Sequence, residues 1–293
     1  MTDYFRGKAV LITGASSGLG LSLLRLLERG TADTIIASSR SVSNLQKIVN
    51  DLGLDPNRVK FLALDLESSD SEIYNAVEKA SEFVPNGIDI VINCAGMGFR
   101  GRIDETRGDV DRRIMQVDYF GQVAVIKSVM RCWSISGKPN GHIVQVSSVQ
   151  GYFGLGERAP YAAAKHALVG FIDSLRVELS SYPYGDDFRV TLVSPGYIAT
   201  SHSSNALTGD GTIYAKEDES TATGYSPDYV ASLVLKHSAL GTPEVVIADF
   251  KIRLLIVLRS LFAGLCFRLL RNRYKGKKEA FLVSFVKWLV GLD

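Results

Sequence analysis

KAVLITGASSGLGLSLLRLLERG, residues 8–30, holds a strand, a turn and a helix in direct succession. The apolar run Lys8–Thr13 has strand length and stops at Gly14. From Leu19 to Arg29 the leucines return at helical spacing. Between them lies Thr13-Gly14-Ala15-Ser16-Ser17-Gly18-Leu19-Gly20. Glycines at such a junction let the backbone approach a pyrophosphate, which the positive N-terminus of the next helix attracts. Any tight turn also needs glycine, so the loop alone leaves a plain turn open as an alternative.

The same alternation continues along the chain. Strand-like runs follow at Asp33–Ser38, Arg58–Leu64, Ile88–Asn93, Gly141–Ser147, Phe188–Ser194 and Glu244–Ala248. They are dense in Val and Ile with weak alternation, as parallel strands covered on both faces should be. Helical spacing marks Ser43–Asp51, Ser69–Val84, Asp109–Trp133, Tyr161–Ser181 and Ser226–Ala239. Ser226-Pro227 is a start signal, a capping serine with proline in the first turn. The pattern predicts an α/β fold, a doubly wound Rossmann-like sheet of about seven parallel strands. With no linker or internal repeat, one domain is expected over residues 1–249, with a helical tail over 250–293.

The chain is 46% hydrophobic and 22% charged, which suits a packed core and excludes a disordered or collagen-like class. Its net charge of +2 hides an asymmetry: residues 250–293 carry ten Lys/Arg against two Asp/Glu. A basic, apolar tail on a slightly acidic body points to an anionic surface as its partner. Cys94, Cys132 and Cys266 match no metal or redox spacing, so free thiols in a reducing compartment are expected. His142, His166, His202 and His237 are scattered without metal-ligand spacing, and no metal is expected. No nucleic-acid-binding motif is present. The N-terminus MTDYFRGKAVLITG has no apolar signal segment.

The end of the second strand reads Ala37-Ser38-Ser39-Arg40-Ser41. In nucleotide-binding sheets this end faces the adenosine ribose, where a carboxylate would favour NAD. Here there is no acid, and Ser39 is followed by an arginine whose fork of donors suits the 2′-phosphate of NADP(H). A solvated surface arginine is the alternative.

Tyr161 and Lys165 stand at i, i+4 and share one helix face. A tyrosine near pKa 10 exchanges protons poorly at neutral pH, and a neighbouring ammonium lowers that value. Ser148 ends the strand GHIVQVSS, at the sheet edge that surrounds the ligand crevice. It can bond a substrate oxygen while Tyr161 gives or takes the proton. A surface Tyr–Lys pair is common by itself. A Ser–Lys hydrolase does not fit, because Ser148 sits in VSSVQG rather than a nucleophile elbow.

Taken together, TGASSGLG, Ser148, Tyr161 and Lys165 resemble the short-chain dehydrogenase/reductase family over nearly all of residues 8–249. The resemblance implies cofactor contacts at Thr13, Gly14, Ser16, Ser17, Gly18, Leu19 and Gly20. It implies an adenine-contacting acid at Asp65, and an NNAG-like turn at Asn93-Cys94-Ala95-Gly96. Pro195, Gly196, Ile198 and Thr200 fit the PGxxxT segment beside the nicotinamide. Lys165 is then also a ligand of the nicotinamide ribose. One departure stands out. The family's catalytic Asn is replaced by Asp118 in VDYFG. The family residue holds a relay water largely through its main-chain carbonyl, which an Asp retains, so activity is expected to survive with an altered pH response. A catalytically silent cofactor-binding protein, docked on a membrane or partner, is the rival.

Leu254–Leu270 reads LLIVLRSLFAGLCFRLL. As one helix it spans about 26 Å, short of a hydrocarbon core of roughly 30 Å. Arg271, Arg273, Lys275, Lys277 and Lys278 follow, then AFLVSFVKWLV at 280–290. Two amphipathic helices on an anionic membrane are one reading; docking on the protein's own core or on a dimer partner is the other. Tyr197–His202 leads into a polar stretch, residues 204–226, that reads as a substrate lid. The stretch after Pro195 and the tail look most like a membrane-associated subgroup of the family. That subgroup implies lipid-like carbonyls: steroids, retinoids or acyl/alkyl-dihydroxyacetone phosphate. The tail, with no signal segment, leads to the expectation of an intracellular, peripheral position on a cytosol-facing membrane such as endoplasmic reticulum or peroxisome. A homodimer or homotetramer through Asp109–Trp133 and Tyr161–Ser181 is implied as well.

Overall fold

The computed structural model describes residues 2–182 and 185–276. In chain order the strands are β1 (Ala9–Ile12), β2 (Thr34–Ser39), β3 (Val59–Ala63), β4 (Ile90–Asn93), β5 (Phe99–Arg100), β6 (Gly141–Val146), β7 (Phe188–Pro195), β8 (Leu207–Thr208) and β9 (Glu244–Ile247). The helices are α1 (Gly18–Arg29), α2 (Val42–Asp51), α3 (Asp70–Glu82), α4 (Gly108–Met115), α5 (Gly121–Ser136), α6 (Ala159–Leu179), α7 (Glu219–Ala222), α8 (Pro227–Ala239), α9 (Phe250–Leu261) and α10 (Ala263–Tyr274).

Seven strands make one parallel sheet in the order β3-β2-β1-β4-β6-β7-β9. The order reverses between β1 and β4, which pair as Leu11↔Val91. Every residue of β1, β4 and β6 is buried, which is why these strands read as unbroken apolar runs. One face packs on α1, α2 and α8 through Leu23, Leu45 and Val230. The other packs on α3, α5 and α6 through Ile73, Val125 and Ile172. A sheet so covered opens a crevice beyond its carboxyl edge at the point of reversal.

Local signals explain the helix boundaries. Ser69 caps α3 and Glu72 reaches back to it, a reciprocal capping box. Ser226 Oγ accepts from Tyr229 N at 3.3 Å ahead of Pro227, as its sequence indicates.

Three features differ from the sequence reading. The helix expected over Asp109–Trp133 carries one π turn at Gln116–Phe120, between α4 and α5. The extra residue in that turn leaves both Val117 and Asp118 facing inward. The polar stretch after Thr200 is tied down: β8 pairs with β5, and Asp218 bonds Arg100 and Arg158. The run Leu254–Leu270 is not one helix. Phe262, at φ −136° and ψ 61°, breaks it into α9 and α10. The two fold against each other around Leu258, Leu265 and Cys266. Ile252, Leu255, Ile256 and Leu270 also pack against Val149, Phe153 and Ala248, so this part of the tail docks on the body. No helix among the described residues is long and apolar enough to cross a membrane. Lys277, Lys278 and the 280–290 segment lie outside the described residues.

Candidate active site

A cleft of about 360 Å³ opens at the carboxyl edge of the sheet. Its floor is the β1–α1 turn. Gly14 has φ +69°, and a Cβ there would stand 2.9 Å from Ala95 Cα. A Cβ on Gly20 would fall 2.1 Å from the Gly14 carbonyl oxygen. Neither position admits a side chain. Ser16, Ser17, Gly18 and Leu19 line it beside the start of α1, an arrangement that fits a pyrophosphate.

Ser39, Arg40 and Asp65 line the end reached by β2 and β3. Arg40 is 67% exposed and its nearest carboxylate, Glu67, is 3.9 Å away. Glu67 is itself held by Arg113 at 2.8 and 2.9 Å, so the Arg40 guanidinium remains open to an incoming phosphate.

Thr13 and Asn93 sit one layer behind the cleft instead of on its surface. Thr13 Oγ1 donates to Asn93 Oδ1 at 3.0 Å and accepts from the Cys94 and Ala95 amides. Asn93 donates to the Gln122 carbonyl and to Gln145 Oε1. Their side chains therefore lock β1 to the turn after β4, and it is Cys94, Ala95 and Gly96 that reach the cleft. Burial pushes the neighbouring Cys94 thiol up to about 12, so it stays protonated.

Ser148, Tyr161 and Lys165 converge at the other end of the cleft, facing Pro195, Gly196, Ile198 and Thr200. Ser148 ends the segment after β6, and its Oγ accepts from Gln150 N at 3.2 Å. Tyr161 and Lys165 come from the first turns of α6, started by Pro160. Lys165 Nζ is 5.4 Å from the centre of the Tyr161 ring. Burial pushes the Tyr161 phenol up and outweighs Lys165, which pulls it down. Asp118 adds to the rise, while Ser148 and Arg100 oppose it. The lowering expected from Lys165 is present, but the net direction is upward.

Asp118 does not line the cleft. It is fully buried, accepts from Met97 N at 2.8 Å, and lies 3.7 Å from Lys165 Nζ. Its second oxygen has no partner. Burial raises its pKa against the pull of Lys165 and the Met97 amide.

Several cleft residues escape a reading by motif. Gln150, Phe153, Leu155, His202 and Ile252 all line it. The His202 ring centre is 5.9 Å from that of Tyr161. His202 is itself an exposed residue on the cleft. The surrounding protein, with the charges of Lys165 and Arg100, pushes its pKa down, so it is neutral at pH 7. Ile252 belongs to α9, which makes the tail part of the cleft wall.

The short chain dehydrogenase family profile matches residues 8–210. A Drosophila melanogaster protein, dehydrogenase/reductase SDR family protein 7-like, is 38% identical over 278 residues, covering 91% of this chain and 80% of its own length. The Bos taurus dehydrogenase/reductase SDR family member 7B is 36% identical over 286 residues, covering 96% of this chain and 85% of the relative. Among solved structures, a Burkholderia cenocepacia short chain dehydrogenase in complex with NADP superposes with a TM-score of 0.70 at 22% identity, covering 89% of this chain and 95% of that one. A Burkholderia phymatum short chain dehydrogenase/reductase in complex with NAD gives 0.73 at 20% identity, covering 89% and 96%. With the family profile over most of the body and relatives above one-third identity along almost the whole chain, the protein belongs to the short-chain dehydrogenase/reductase family of oxidoreductases.

Proposed function

We propose that this chain is an NADP(H)-dependent reductase of a ketone, or dehydrogenase of the matching secondary alcohol, on a lipid-like molecule. The observation that carries the reading is the convergence of Ser148, Tyr161 and Lys165 at one end of a cleft whose turn has no room for side chains at Gly14 and Gly20. Bound NADPH supplies the hydride. Ser148 Oγ, oriented by the Gln150 amide, donates to the carbonyl oxygen. Tyr161 passes its proton to that oxygen as the alcohol forms. Lys165 stabilises the resulting phenolate and is placed to bond ribose hydroxyls; Asp118 steadies Lys165 from behind. The raised Tyr161 pKa keeps the phenol protonated at neutral pH, which suits reduction.

Arg40, with no acid at the end of β2, supports NADP(H) over NAD(H). The lipid-like class is supported by the apolar wall of Phe153, Leu155 and Ile252. Steroids, retinoids and acyl/alkyl-dihydroxyacetone phosphate are the candidates in view. Contact with an anionic, cytosol-facing membrane belongs to the same reading. Phe250, Val257, Leu261 and Phe267 stand exposed on α9 and α10, and residues 250–276 contain no acid. So does a homodimer or homotetramer through α5 and α6, where Ile135 and Val177 are exposed.

Asp118 favours one rival: a protein that binds the cofactor but does not turn over, because a buried carboxylate with one unpartnered oxygen stands where the family carries an Asn. NADPH oxidation with a panel of lipid ketones, with and without anionic liposomes, separates the two. Turnover that Tyr161→Phe abolishes supports the reductase. NADPH binding without turnover of any ketone supports the rival.

A further inference from the structure

The buried glutamines of this fold make a telling contrast. Gln122 Nε2 donates to the Ala95 carbonyl at 2.8 Å, and its Oε1 accepts from Gln145 Nε2. Gln145 in turn accepts from Asn93. Gln150 is only 9% exposed, yet its side-chain amide has no hydrogen bond, and its Oε1 is closed off from solvent without a partner. Nothing in the packing requires an amide at this place, and an unpaired buried amide is a cost that an apolar residue of the same length would avoid.

Gln150 lines the cleft, and its backbone N–H holds Ser148 Oγ at 3.2 Å. Its side chain is therefore anchored next to the hydroxyl that meets the reacting carbonyl. On the same cleft stands His202, beside the Tyr161 ring, and neither of its ring nitrogens bonds any described residue. An amide and a neutral imidazole each offer one donor and one acceptor. Arg100, the cation closest in kind to an anion receptor at this end, is already committed. Its Nε and Nη2 bond Asp218 and its Nη1 donates to the Phe99 carbonyl. Apart from Lys165, assigned above to the ribose, the side chains considered at the substrate end thus offer neutral, two-sided polar groups.

Resting on the reductase reading above, we infer that Gln150 and His202 form a specificity subsite for a hydroxyl group carried next to the reacting carbonyl. A hydroxyl both donates and accepts, so it suits either end of the amide, which can turn over about its last bond, and either tautomer of the imidazole. The substrate is then a hydroxylated ketone, polar beside the carbonyl and apolar along Phe153, Leu155 and Ile252. Gln150 acts on substrate choice, while Tyr161 and Ser148 act on the chemistry.

The test compares 2-hydroxyacetophenone with 2-methoxyacetophenone, which keeps the oxygen and loses the donor. In NADPH-driven reduction, wild-type kcat/KM should favour the hydroxy ketone at least about tenfold. Gln150→Met should bring the ratio to about one, mainly through KM, and His202→Phe should lower it at least about threefold. Calorimetry on the full chain loaded with NADP+ gives the corresponding binding ratio without turnover. Absent turnover with an intact binding ratio would fault the reductase reading and spare the subsite. A hydroxy ketone that binds no better than its ether, or a preference that survives Gln150→Met, overturns the subsite.

Discussion

Asp118 Oδ1 and Lys165 Nζ lie 3.7 Å apart, the carboxylate fully buried and the lysine lining the cleft beside Tyr161. The carboxylate pushes the Tyr161 phenol up, and the ammonium pulls it down. Asp118→Asn keeps an acceptor for the Met97 amide and removes the charge. Phenolate should then form at lower pH. The acid limb of alcohol oxidation, and the basic limb of ketone reduction, should both move to lower pH, with turnover retained at neutral pH. Limbs that stay in place would show that Asp118 carries no charge in the working enzyme.

Among the described residues, Arg40 is the one basic side chain lining the end of the cleft reached by β2 and β3, where the proposed 2′-phosphate would lie. Arg40→Ala should raise the Kd of NADPH at least about tenfold, the loss of a charge-assisted phosphate contact, and change that of NADH about twofold or less. Fluorescence titration with both cofactors reads this. Equal losses would remove the NADP(H) assignment.

Much of this was legible in residue order. Strands buried on both faces leave unbroken Val/Ile runs, so the sheet and its helices could be read from periodicity. Tyr161, Lys165, Ser148 and the glycine turn could be read because their chemistry fixes their spacing. What escaped had no spacing to show. Thr13 and Asn93 belong to a motif at the cleft, but which atoms face a ligand depends on a hydrogen-bond network between strands far apart in sequence. Ile252 reaches the cleft wall because α9 docks beside Phe153, with α10 folded back along it at Phe262. A hydrophobic run cannot distinguish that docking from another apolar surface. Gln150 follows Ser148 by two positions, a signal visible only once its amide is found without a partner.

Gly20 tests the cradle. A methyl there meets the Gly14 carbonyl oxygen at 2.1 Å, so Gly20→Ala must distort the turn. The variant should lose at least about tenfold in NADPH affinity and about 1–3 kcal/mol in stability. Gly170→Ala, within α6 with open space around it, is the control and should be neutral or stabilising by up to about 1 kcal/mol. Denaturant melts and cofactor titration of both variants would check this. Equal behaviour would mean that the turn is not held as described.

His142 lies at the opposite edge of the sheet, its ring bonded to Tyr4 Oη at 2.8 Å and Thr191 Oγ1 at 2.9 Å. Burial, with the charges of Arg189 and Lys8, holds its pKa at about 3. An unfolded histidine titrates near 6.5. Between about 6.5 and 3 the unfolded chain therefore binds a proton that the folded chain refuses, and stability falls as pH falls. The slope from this one group is at most about 1.4 kcal/mol per pH unit. His142→Gln should flatten the stability profile across that window; an unchanged slope would place the acid sensitivity elsewhere.

The central claim is that Tyr161 gives the proton at a cofactor-bearing cleft. It is tested most directly by ketone-dependent NADPH oxidation in Tyr161→Phe, alongside NADPH binding by the same preparation. The account predicts unimpaired NADPH binding with kcat/KM reduced at least about a hundredfold, the range expected on losing a general acid. Wild-type turnover in that variant would contradict it.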